Sequence, residues 1–159
     1  AVPGAKGYEI YRAAGSGSYQ KIVTVKSGTV VKYVDKTAKS GTTYKYRVRA
    51  YVDSVSKGAF SAEKAIVFVA APVAKAAASS KTGITYAWTP VTGVTGYQVY
   101  RATGSGSFTK IATVKGATAA KYVDKTAKKG VTYKYKVRAY KGSTTGAFST
   151  KVISIKDKY

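Results

Sequence analysis

Residues 7–51, GYEIYRAAGSGSYQKIVTVKSGTVVKYVDKTAKSGTTYKYRVRAY, recur as residues 96–140, GYQVYRATGSGSFTKIATVKGATAAKYVDKTAKKGVTYKYKVRAY, at a constant offset of 89. A repeat this long is a whole domain used twice, not a solenoid unit. In a chain of 159 residues it specifies two domains, expected at residues 1–70 and 71–159 and joined at Ala70-Ala71-Pro72. The two copies do not start alike. Ala1 aligns with Pro90, so residues 72–89, which hold the only tryptophan, Trp88, have no counterpart ahead of the first copy.

The residue types favour strands. Val, Tyr, Thr, Ser and Gly are abundant, Leu and Met are absent, and no run shows a helical period. In the second copy, aromatic and β-branched runs at 84–88, 97–101, 108–114, 120–124 and 132–140 alternate with turn signals. A last segment is expected from Ala147 through Lys156. The longest run has a period of two: Tyr133, Tyr135, Val137 and Ala139 share one face, and Lys134, Lys136, Arg138 and Tyr140 the other. The first copy likewise turns Tyr44, Tyr46, Val48 and Ala50 inward and Lys45, Arg47, Arg49 and Tyr51 outward. Each copy thus predicts a sheet with one buried face and one basic, solvated face, and the fold class is an all-β sandwich.

Trp88 followed by Pro90, a GYQVYR strand, a polar loop ending in GVTY, and a YKVRAY strand closed by GAFS together resemble a fibronectin type III domain. The variety it resembles most is the Lys- and Tyr-rich one of surface and secreted proteins in Gram-positive bacteria. The resemblance covers residues 72–156 in full and 4–69 in part. It implies an immunoglobulin-like sandwich with Trp88 as the core tryptophan of the second strand, B. It implies too that Tyr44 and Tyr133 are corner tyrosines, whose hydroxyls tie the E–F loop to the sandwich. Ala38 and Ala127 stand in that loop where the family often has Leu.

By the same likeness the first domain lacks strands A and B, leaving the apolar face of its remaining sheet uncovered. Covering such a face is worth on the order of 25 cal/mol per Å², so the half-sandwich is not expected to be stable alone. Either the chain is a piece of a longer array, the favoured reading, or another polypeptide supplies the missing strands by β-addition. With neither an initiator Met nor a signal-like leader, the chain is expected to be a processed product or a fragment.

Charge narrows the classes of function. Twenty-eight Lys and Arg stand against six acids, a net of +22, and only five cations are Arg: Arg12, Arg47, Arg49, Arg101 and Arg138. Lys is a hydrated point charge on a flexible stem, suited to diffuse attraction to a polyanion more than to bidentate recognition. Specific nucleic-acid recognition is therefore not expected. No apolar run approaches the roughly 20 residues of a membrane span. The chain has no His to act as a base and no Cys nucleophile, and its acids show neither paired-carboxylate nor metal-ligand spacing. No catalytic site, cofactor or metal is expected. Asp35 and Asp124 occupy one repeat position and read as Asx turn caps. The GSGS stretches at 15–18 and 104–107 read as hairpin turns, because no helix N-terminus follows to hold a phosphate.

The candidate site is a basic stripe interleaved with aromatics on each outward face. One holds Lys45, Arg47, Arg49 and Tyr51 beside Tyr11; the other holds Lys134, Lys136, Arg138 and Tyr140 beside Tyr100. Such stripes bind anionic polymers, but they are equally what a solvated sheet face looks like when Lys stems cover apolar surface and cations stack on Tyr. The expected function is a non-catalytic spacer or adhesive module of a bacterial extracellular or cell-wall-associated protein. It would be linked to neighbouring domains and set against anionic wall polymers. One alternative is a dedicated module for an acidic polysaccharide or nucleic acid. Another is a filament subunit completed by a strand-exchange partner.

Overall fold

The computed structural model describes all 159 residues, which divide into two compact units, Ala1–Phe68 and Val69–Tyr159. The division falls two residues ahead of the boundary read from the repeat, because Val69 is 6% exposed and lies against Gly146 within the second unit.

Unit 1 is a single antiparallel sheet. Its strands are β1 (Gly7–Ala14), β2 (Gln20–Val25), β3 (Thr43–Tyr51) and β4 (Lys64–Val67), in the order β2-β1-β3-β4. Unit 2 has eight strands: β5 (Val73–Ser80), β6 (Gly83–Thr89), β7 (Gly96–Thr103), β8 (Thr109–Lys115), β9 (Lys121–Asp124), β10 (Thr132–Lys141), β11 (Thr144–Phe148) and β12 (Ile153–Lys156). They form two sheets, β5-β6-β9 and β11-β10-β7-β8, with β12 also pairing β10. The chain is all-β: unit 2 is a two-sheet sandwich, and unit 1 is a single sheet with no counterpart of β5, β6 or β9. The expected last segment is two strands, not one. Ser149 donates its N–H to the Val137 carbonyl (2.7 Å) and accepts the Val137 N–H on Oγ (3.3 Å), so a side chain replaces a ladder carbonyl and separates β11 from β12.

With neither Leu nor Met, the core of unit 2 is built from rings. The inward side chains of β6, namely Ile84, Tyr86 and Trp88, meet Tyr97, Val99, Tyr135 and Val137 of the facing sheet, all fully buried. Trp88 and Tyr97 are 5.2 Å apart between ring centroids, and Tyr86 stacks on Tyr135 at 5.4 Å. The corner tyrosines take the expected role: the Lys39 N–H donates to the Tyr44 hydroxyl (2.9 Å) and the Lys128 N–H to that of Tyr133 (3.0 Å). Both GSGS stretches are hairpin turns, opened by Gly15 (φ 57°) and Gly104 (φ 55°) in the left-handed region where a β-carbon is disfavoured.

Unit 1 repeats the sheet but not the cover. Tyr8, Ile10, Tyr46 and Val48, the counterparts of buried Tyr97, Val99, Tyr135 and Val137, are only half-buried. They line a groove of about 440 Å³ on the sheet's apolar face. The tetrapeptide KYVD is β9 in unit 2 but not a strand at 32–35 in unit 1. In unit 2 its only ladder partner is β6, and unit 1 contains no such strand.

Candidate polyanion-binding faces

The outer face of unit 2 is carried by β10 and β7, whose register sets Lys136 opposite Tyr100 and Arg138 opposite Gln98. Arg138 donates from Nε to Gln98 Oε1 (2.9 Å) and from Nη2 to the Tyr100 hydroxyl (2.8 Å). Its guanidinium lies over the rings of Tyr100 (5.2 Å) and Phe148 (5.0 Å). The Lys136 ammonium sits between Phe108 (4.3 Å) and Phe148 (4.0 Å). Lys134 follows on the same strand face, and Lys110 pairs opposite Tyr100 from β8. The rings hold the cations in register while leaving their charge intact. Tyr140 belongs to the scaffold: its ring closes over Gly96, where a β-carbon would lie 3.1 Å from it.

Unit 1 has the same layout with the charge partly offset by two carboxylates. Arg47 is sandwiched between Tyr19 (4.0 Å) and Phe60 (3.9 Å). Arg49, however, meets Glu9 where unit 2 has Gln98, through Nε (2.8 Å) and Nη2 (2.7 Å). Lys21 reaches the other oxygen of Glu9 at 2.9 Å, and Lys45 pairs with Glu63 at 3.2 Å. Glu63 also has no acidic counterpart, since Lys151 and Val152 stand in that part of unit 2. Tyr51 closes over Gly7 as Tyr140 closes over Gly96. The structure therefore gathers Lys134, Lys136 and Arg138 into an unneutralised cationic face, whereas Lys45 and Arg49 are tied up in ion pairs.

Glu9 shows how strongly. It is 4% exposed, on the nominally solvated side of its sheet. Hydrogen bonds from Lys21 and then Arg49 pull its pKa down to about 2 in spite of burial. A carboxylate depressed in the folded state contributes stability that is full above its unfolded value of about 4.3 and is lost as pH falls through the folded one. Unit 1 should therefore loosen between about pH 4 and pH 2, as followed by the amide signals of β1 in an NMR titration. Glu9→Gln should flatten that limb, and an unchanged profile would remove Glu9 from the cause.

A second cluster centres on Asp124, the last residue of β9. Asp124 is 0% exposed and accepts from the Thr126 N–H (3.0 Å) and hydroxyl (2.7 Å), as the Asx-turn reading requires. Its other oxygen accepts from Arg101 Nη1 and the Tyr135 hydroxyl, each at 2.7 Å. Asp35 repeats the set with Thr37, Arg12 and Tyr46. Sequence reasoning identified the turn and missed the ion pair. The available signal was that Arg and Asp recur 23 residues apart in both copies. This arrangement has one carboxylate, committed to four donors, and holds nothing for chemistry. No group of three or more His, Cys, Asp or Glu side chains gathers anywhere in the chain, and no helix is long and apolar enough to cross a membrane.

No protein-family model and no curated protein matches the chain. Among solved structures it is similar to the FN1–FN3 domains of chicken CNTN1, at 20% identity and a TM-score of 0.47, over 96% of this chain and 56% of that one. It thus spans little more than half the length of that segment. It is also similar to an Fn3-like protein from Clostridium thermocellum, at 27% identity and a TM-score of 0.48, over 57% of this chain and 94% of that one. A two-domain fibronectin type III segment of chicken tenascin aligns at 19% identity and a TM-score of 0.49, over 98% of this chain and 87% of that one.

Proposed function

We propose that the chain is a non-catalytic structural and adhesive module of a bacterial extracellular or cell-wall-associated protein, lying against anionic polymers through the outer face of unit 2. One observation carries this reading: that face presents Lys110, Lys134, Lys136 and Arg138 with no carboxylate among them. Unit 2 as a whole has sixteen Lys and Arg and two acids. Both acids are buried, Asp124 against Arg101 and Asp157 against the Ser79 hydroxyl. Three Lys points beside one Arg whose Nε and Nη2 are already taken by Gln98 and Tyr100 support diffuse attachment to a charged chain rather than reading of one sequence.

Binding of the full chain to polyphosphate and to polyglutamate, titrated across salt concentrations, tests this. The two polymers should bind comparably at matched charge density, and both affinities should fall steeply as salt rises. Gln98→Glu installs in unit 2 the acid that unit 1 already accommodates at Glu9. It should pair with Arg138 and lower the slope of log affinity against log salt by about 1 without unfolding the unit. Salt-insensitive binding, or a slope that ignores Gln98→Glu, would refute the assignment. Strong preference for one polymer at fixed ionic strength would point instead to a dedicated ligand module.

A further inference from the structure

We infer that a linear polyanion on the outer face of unit 2 runs on along β10 and over the pole where that strand begins, held there by Lys81, Lys125, Lys128, Lys129 and Lys158. The inference rests on the polyanion reading of the outer face and adds the path of the polymer and the length it needs. Lys156 is the bridge. β12 pairs with β10 so that Ser154 lies opposite Lys134 and Lys156 opposite Thr132. Residues directly opposite in a ladder share a face, and along β12 Ile153 and Ile155 are half-buried while Ser154 and Lys156 are exposed. The row of Arg138, Lys136 and Lys134 therefore continues to Lys156. From Arg138 to Thr132 it covers about 20 Å, at about 3.3 Å per residue.

At the end of that row, buried Asp157 ties three segments together. The Gly130 N–H donates to the Asp157 carbonyl and the Asp157 N–H to the Val131 carbonyl, both at 2.9 Å, joining the segment after β12 to the loop after β9. The Ser79 hydroxyl donates to the Asp157 carboxylate and accepts the Lys158 N–H (2.9 Å), joining the same segment to the β5–β6 hairpin. Gly83 closes the third side: a β-carbon there would lie 2.3 Å from the Asp124 carbonyl oxygen and 3.1 Å from the Lys125 Cα. In the hairpin turn, Ser80 Oγ donates to the Gly83 carbonyl (3.0 Å) and accepts the Thr82 N–H (3.3 Å), which fixes the backbone at Lys81. All five lysines are exposed. The two acids here, Asp124 and Asp157, are buried in these bonds, so no acidic side chain stands among the lysines. Nor does the loop need its full charge to fold. Its equivalent in unit 1 closes in the same way, from the Gly41 N–H to the Phe68 carbonyl (2.8 Å), with Ser40 where unit 2 has Lys129. Like charges held on one rigid pole repel, and a polyanion passing over them relieves that repulsion.

The test follows the amide signals of the full chain by NMR as linear polyphosphate is added, in one length well over the strand's span of about 20 Å and one well under it. The long polymer should shift the amides of 134–138 together with those of Lys81 and 125–129, at one midpoint. The short one, unable to span both, should shift the two groups at separate midpoints. Lys81→Gln/Lys125→Gln/Lys129→Gln should lower the slope of log affinity against log salt for the long polymer by about 2, at about 0.7 per contact for a flexible strand. The three side chains are exposed, so the variant keeps its fold, as the fluorescence of buried Trp88 checks. Removing the same charge from exposed sites of unit 1, as Lys6→Gln/Lys26→Gln/Lys36→Gln, should lower the slope by less than half as much. Equal losses from the two triple variants overturn the inference, since net charge and not placement would then set the affinity. So do shifts confined to 134–138, an outcome that leaves the proposed function standing. Binding that ignores both salt and Gln98→Glu removes the proposed function, and the inference with it.

Discussion

Trp88→Ala is expected to cost unit 2 about 3–5 kcal/mol, the range for emptying an aromatic site in a packed core. The indole is fully buried and touches Tyr86 and Tyr97, with ring centroids at 5.8 and 5.2 Å. The expectation lies toward the upper part of the range because the neighbours cannot flow into the void. Unit 2 has no Leu or Met, and the adjoining rings are pinned: Tyr97 by its hydroxyl bonds to Val91 and Ala117, Tyr135 by its bond to Asp124. Against a typical total of about 5–15 kcal/mol for a domain, this leaves the unit marginal. Urea unfolding followed by near-ultraviolet tyrosine dichroism measures it. A loss below about 1 kcal/mol would show that the aromatic core relaxes more readily than its packing implies.

Asp124→Ala is expected to cost about 3 kcal/mol, the lower end for removing one partner of a buried ion pair, since Arg101 keeps 20% of its side chain exposed and partly rehydrates. Four donors lose their acceptor at once: Arg101, the Tyr135 hydroxyl, and the Thr126 amide and hydroxyl. Trp88 is the only tryptophan and lies in unit 2, so its fluorescence during urea unfolding reports this unit alone. The double variant Arg101→Met/Asp124→Leu should recover part of the loss, because it leaves no orphaned charge. The acid limb follows from the same site. Burial raises the Asp124 pKa, but hydrogen bonds from Thr126, Tyr135 and Arg101 outweigh it and hold the group below its ordinary value. Its contribution is then present above about pH 3.9 and lost as pH falls through the lower folded value. Asp124→Asn should remove that dependence along with part of the stability.

The outer faces show how far a site can be read from residue order. Alternation along β10 and β3 correctly put Lys134, Lys136 and Arg138, and likewise Lys45, Arg47 and Arg49, on the side away from the sandwich interior. It could not show that the two faces differ in charge. Glu9 and Arg49 are 40 residues apart and meet only because β1 pairs with β3 in the register that sets Glu9 opposite Arg49. Gln98 opposite Arg138 follows the same register with no charge to cancel. The pairing of Arg101 with Asp124 was hidden for a like reason, because their strands belong to different sheets of the sandwich.

Whatever depends on neighbours in the chain was written into the sequence. The period of two set the inward and outward faces, the glycines opened the turns, Asp before Thr made the Asx turns, and the repeat fixed two units. The tetrapeptide KYVD marks the limit of that reading. At 121–124 it is a strand and at 32–35 it is not, although no letter differs. A strand is completed by hydrogen bonds to another strand, and β6 offers them in unit 2 while no segment of unit 1 does. Tertiary structure alone decides which copy of those four residues has a partner. The uncovered face of the first sheet, by contrast, was already legible in the sequence, because residues 72–89 have no counterpart ahead of the first copy.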